Sequence, residues 1–131
     1  MTSLRPTGTS GGMFRESLAR VVDNVEGGVA GLLMGFDGIA IESYSRPTAT
    51  LDINAVGTEF GFILGQVRKV AESLEAGAVE ELTIRTERLV ILIRVLTSDY
   101  FLALALDPTG NFGKGRYLLR LVAPQIKMEL A

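Results

Sequence analysis

Apolar positions along the chain fall into two rhythms, one helical and one alternating. Over residues 13–26, Phe14, Leu18, Val21, Val22 and Val25 share one helical face, and Gly27-Gly28 ends the stretch. Residues 29–35 and 39–45 read as two short strands with Asp37-Gly38 between them, the signature of a tight hairpin. Leu33 and Val29 share one face of the first strand, and Leu32 and Met34 the other. In the second, Ile39 and Ile41 alternate with Ala40 and Glu42, as in a half-exposed edge strand. A polar loop follows. Residues 52–77 then form one long helix, with Val56, Phe60, Ile63, Leu64, Val67, Val70, Ala71 and Leu74 as its apolar stripe. Asp52 or Asn54 caps its start, and Gly77 takes the C-terminal position.

Three more strands come next. Residues 79–86 alternate. Residues 88–96 do not, so both faces of that strand should be covered. Residues 100–106 set Leu102, Leu104 and Leu106 against Ala103 and Ala105, and the small face suggests a helix packed close. A last helix spans residues 114–130, with Leu118, Leu121, Val122 and Ile126 apolar. Pro124 there marks either a kink or a first turn. The predicted class is α/β (α+β), in the order α-ββ-α-βββ-α. Five mostly antiparallel strands carry the long helix on one face and the two terminal helices on the other. Residues 13–131 form one domain. Residues 1–12, rich in Thr, Ser, Gly and Pro, read as a flexible leader or an expression scar, with Met13 as an alternative start.

The long helix has a second feature. Gly57, Gly61 and Gly65 recur every four residues in a strip beside the apolar one, continued by Arg68 and Glu72. Each interior glycine costs about 1 kcal/mol against alanine. Such a strip suits close approach of another backbone. A helix–helix contact with a second subunit is the expectation. The alternative is that the glycines make room for an element of the same chain.

Composition narrows the chemistry. The 131 residues are 47% hydrophobic, enough for one domain with a core. A net charge of −2 argues against general nucleic-acid binding. The chain has no cysteine and no histidine. That removes disulfides, thiolate metal sites, the usual general base and every Ser-His or Cys-His nucleophile. No run of about 18 apolar residues occurs, and no signal peptide is visible. The expected address is the cytoplasm. Neither cofactor nor metal is expected.

Three local patterns in this order carry a resemblance. They are Leu-Met-Gly-Phe-Asp-Gly-Ile at 33–39, the glycine-spaced helix, and Gly-Lys-Gly-Arg-Tyr-Leu-Leu-Arg at 113–120. Together, over residues 13–130, the chain resembles the dynein light chain roadblock family. It looks closest to the bacterial motility and polarity regulators of the MglB and MglC type, on the MglC side. The resemblance implies a homodimer whose long helices lie side by side and whose following strand pairs with its copy. Gly57, Gly61, Gly65 and Arg68 would lie at that interface, with Leu82 and Ile84 at the sheet junction. It implies no active site. It implies a non-catalytic adaptor that binds an MglB-type roadblock protein and so influences a Ras-like GTPase, at cell poles through its partners. A direct GTPase-activating role is the alternative. A small-ligand-binding or carboxylate-dependent enzyme domain is the alternative from another class; it would need a deep pocket of convergent polar groups.

The hairpin tip is the main surface candidate. A tight turn needs Asp37 and Gly38, but not Phe36 and Ile39 beside them. Phe36 and Ile39 either form a partner-docking knob, with Asp37 as the third partner-binding residue, or both tuck under a helix end. Residues 110–116 lack the spacing and hydroxyl of a P-loop and read as a plain strand-to-helix connection. Lys114 and Arg116 lie where a helix dipole disfavours cations, which hints at an acidic partner. Arg116, Arg120 and Lys127 form a basic stripe, and Glu72, Glu75, Glu80 and Glu81 an acidic group. Such groups are ordinarily solvated faces.

Overall fold

The computed structural model describes residues 9–131. Helix α1 (Thr9–Asp23) leads into β1 (Gly28–Gly35) and β2 (Ala40–Ser45). Helix α2 (Ile53–Ser73) precedes β3 (Glu81–Arg85), β4 (Val90–Val95) and β5 (Tyr100–Leu106), and α3 (Phe112–Leu130) closes the chain. The predicted element order holds throughout. Helix α1 starts at Thr9, four residues before the expected Met13. The expected leader therefore overlaps it, and residues 1–8 lie outside the described residues.

The strands form one sheet in the order β2-β1-β5-β4-β3, and every neighbouring pair is antiparallel. The strand blocks join through β1 and β5, so β2 and β3 are the two edges. One apolar cluster gathers α1, α3 and the sheet face that carries Leu33, Leu92, Leu102, Leu104 and Leu106. The other gathers α2 with Leu32, Met34, Ile91, Ile93, Phe101, Ala103 and Ala105. The small residues of β5 thus lie on the α2 side. All four residues from Val90 to Ile93 are buried, because β4 is covered on both faces. Val29 packs with the α2 cluster, away from Leu33, because the ladder slips between Gly28 and Ala30 and turns the intervening residue over.

Capping follows the sequence at one end of α2 and departs from it at the other. The Asp52 carboxylate accepts from the Asn54 and Ala55 N–H groups. At the far end the Ala76 N–H donates to Ala71 and the Glu75 N–H to Glu72, the bond pair of a Schellman ending. The residue in left-handed conformation there is Glu75 (φ 55), two positions before the Gly77 expected to end the helix. Left-handed backbone costs a non-glycine residue about 1 kcal/mol. Glu75→Gly should therefore stabilise the fold by up to about 1 kcal/mol, read as a higher urea midpoint. No change would mean that the Glu75 side chain offsets the strain. Helix α3 is capped by the Asn111 side chain, which accepts from the Lys114 N–H. Pro124 lies inside α3 on an exposed position, well past the first turn.

Candidate functional site

The β1–β2 hairpin closes through three residues, Phe36, Asp37 and Gly38, one more than the tight turn expected from Asp37-Gly38. The Gly35 N–H donates to the Ile39 carbonyl at 2.9 Å and the Gly38 N–H to the Gly35 carbonyl at 2.9 Å. Gly38 takes φ +87, a conformation that favours glycine. The Asp37 carboxylate accepts from the Ile39 N–H at 3.0 Å, so its first task is to hold the loop.

The two apolar neighbours of this turn part company. Ile39 is 63% exposed. Phe36 is half-buried and turned inward. Its ring lies 5.1 Å from the Phe101 ring at 53°, and the Arg68 guanidinium covers its other side at 4.0 Å. The Phe36 N–H donates to the Asp99 carbonyl, tying the hairpin to the β4–β5 turn. Arg68 donates to the Ser98 carbonyl of that same turn at 3.1 Å. The tip is therefore a knob of one exposed isoleucine on a braced base. The two-residue knob is corrected to that extent: Phe36 is the brace.

The glycine strip is also corrected. A side chain at Gly57 would collide with Leu32 and crowd Met34, and one at Gly61 would reach Phe101 at 3.0 Å. Both glycines face their own sheet. They let α2 come down onto three large side chains. Gly65 differs: a Cβ there would meet nothing within 4 Å. Arg68, placed in the same strip, is held within the chain by Phe36 and Ser98.

With its glycines turned to the sheet, α2 leaves part of its apolar stripe outside. Phe62, Ile63, Val70 and Leu74 are 44–72% exposed. Sequence reasoning gave Ile63, Val70 and Leu74 to the core. No spacing within α2 sets them apart, since Val56, seven residues before Ile63, packs against the core. Phe62, Gly65, Gln66 and Lys69 line an open groove of about 1180 Å³, with Val79, Glu80 and Arg94 among its other walls.

Edge strand β3 completes this surface. Leu82 and Ile84 are half-buried on the α2 side. Glu81, Thr83 and Arg85 point to the α3 side. Arg116 reaches Glu81 at 3.9 Å and donates to the Thr83 hydroxyl at 3.2 Å. Arg85 lies 4.7 Å from the Phe112 ring. The early cation of α3 is thus answered by β3, and needs no acidic partner. Residues 110–116 form the Asn111 cap and the first turn of α3. Glu72, Glu75 and Glu80 line the groove apart from Glu81.

At the opposite edge, the Tyr44 hydroxyl donates to the Asp23 carboxylate at 2.8 Å and pins β2 to α1. That bond holds the phenol above its ordinary pKa. Among the described residues, no group of three His, Cys, Asp or Glu could hold a metal ion, and no helix is long and apolar enough to cross a membrane.

Solved structures place this arrangement. MglC from Myxococcus xanthus is 44% identical, covers 88% of this chain and 98% of its own, and superposes with a TM-score of 0.65. The chain belongs to the roadblock family. Two more distant relatives share the fold of this roadblock chain. MglB from Thermus thermophilus is 17% identical, with a TM-score of 0.83 over 98% of this chain and 96% of its own. A Roadblock/LC7 domain from Streptomyces avermitilis is 11% identical, with a TM-score of 0.79 over 88% and 96%. No family profile and no curated protein sequence matches the chain. Sequence sides with MglC, while the backbone superposes more closely on MglB.

Proposed function

We propose that this roadblock chain is a homodimeric, non-catalytic adaptor in a bacterial cell-polarity or gliding-motility complex. It binds an MglB-type roadblock protein through the hairpin tip and thereby influences a Ras-like GTPase. The carrying observation is the likeness to MglC over nearly the whole of both chains. The MglB of Thermus thermophilus is described as a gliding protein, which supports the setting. Exposed Ile39, carried on a hairpin whose base is braced by Phe36 against Arg68 and Phe101, is an anchor of the kind that carries binding energy.

The brace and the anchor predict separable mutants. Ile39→Asp should leave the melting curve unchanged and weaken capture of the MglB-type protein at least about tenfold. Phe36→Ala removes a half-buried ring with two stacking partners, and should cost about 2 kcal/mol of stability. Calorimetric titration and thermal melts read the two effects. Full-affinity binding by Ile39→Asp would remove the tip from the interface.

A direct GTPase-activating role is the second reading, favoured by the close backbone likeness to MglB. Single-turnover GTP hydrolysis separates the two. The adaptor reading expects no stimulation by this chain alone, and a large stimulation would establish the second.

A further inference from the structure

The outer face of α3 carries an apolar row outside every contact described so far. Tyr117, Leu121, Pro124 and Met128 are spaced four, three and four residues apart. Tyr117, Leu121 and Met128 are 51%, 54% and 77% exposed, and Pro124 is exposed beside them. That spacing is the alternation of a coiled-coil seam. In such a seam Arg120 and Lys127, each just before an apolar residue of the row, occupy the same flanking position one heptad apart. Both are exposed, and neither has a hydrogen bond or ion pair among the described residues. Arg116, the next cation on that side, is by contrast held by Glu81 and Thr83.

The charge pattern selects the occupant. A second copy is disfavoured. Antiparallel pairing of two such helices would set Arg120 and Lys127 against the same cations, and parallel pairing would offer them Gln125 rather than a carboxylate. A lipid surface suits a broad apolar face better than a single-file row. We infer that α3 receives an amphipathic helix of a partner protein, with apolar residues at heptad spacing and carboxylates along the edge facing Arg120 and Lys127. This surface is separate from the hairpin tip; its cationic edge runs along the side of α3 that faces β3, where Arg116 meets Glu81 and Thr83 and Lys127 reaches the rim of the α2 groove.

The test uses the full chain and two fluorescently labelled three-heptad peptides. Both carry Leu at the seam positions; one carries Glu at the flanking positions and the other Lys. Anisotropy titrations should show the Glu peptide binding at least about tenfold tighter. The double variant Arg120→Glu with Lys127→Glu should reverse that preference, with an unchanged thermal melt. Leu121→Asp should abolish binding of the Glu peptide. Equal affinity for the two peptides, no binding of either, or an unaltered preference in the charge-reversed variant would overturn the inference. So would binding of the full chain to phosphatidylserine vesicles without binding of the Glu peptide.

Discussion

Gly57→Leu should destabilise the fold by about 3 kcal/mol or more, while Gly65→Ala should stabilise it by about 1 kcal/mol. Two glycines of one strip are expected to respond with opposite signs. At Gly57 even a methyl group would overlap Leu32, so a leucine forces α2 off the sheet. Overpacking of that kind costs about 1–3 kcal/mol, and more when the neighbours cannot move. Leu32 and Met34 are almost fully buried and have little room to give. The helical gain from replacing a glycine, about 1 kcal/mol, does not offset this. At Gly65 the added methyl meets open space, so only the propensity gain remains. Thermal melts should separate the variants by roughly 15 °C in total. If Gly57→Leu melts like the parent, α2 is not seated on the sheet through its glycines.

The periodicities made most of the fold legible. The element order, the edge position of β2 and the doubly buried β4 all follow from apolar spacing, because burial on one face, or on both, writes itself into every second or every fourth residue. The orientation of α2 did not follow. Its widest apolar stripe looks like the core face to any periodicity argument. The core face here is partly glycine, because the large side chains come from the sheet: Leu32, Met34 and Phe101 fill the space that a helix side chain would ordinarily take. The hairpin tip was legible as a place, but not in its division of labour. Phe36 turns inward because Arg68 and Phe101, 32 and 65 residues further along the chain, provide a cationic and an aromatic wall. No local pattern shows partners that distant. The family resemblance used the glycine spacing as one of its three patterns, without needing the glycines to face a second subunit. It stands on 44% identity to MglC, although the dimer argument from the glycines put Gly57 and Gly61 on the wrong side of α2.

The proposed adaptor role depends on a surface for a second copy, and β3 is where that surface is most open to challenge. The Val95 N–H donates to the Glu80 carbonyl, and the Thr86 N–H to the Leu89 carbonyl. Alternation between these bonds turns the even-numbered residues of β3 toward β4 and leaves the N–H and C=O groups of Glu81, Thr83 and Arg85 on the free edge. A second β3 could pair there antiparallel, with Leu82, Ile84 and the exposed residues of α2 closing over the junction. Thr83→Pro removes the central outward N–H without taking a bond from β4. The decisive measurement is sedimentation equilibrium at about 10 μM, above the micromolar weak end of the range for interfaces of standard size. The account predicts twice the 14.1 kDa chain mass for the parent and a single chain mass for a folded Thr83→Pro. A parent that sediments as one chain, or a Thr83→Pro variant that remains a dimer, would contradict it.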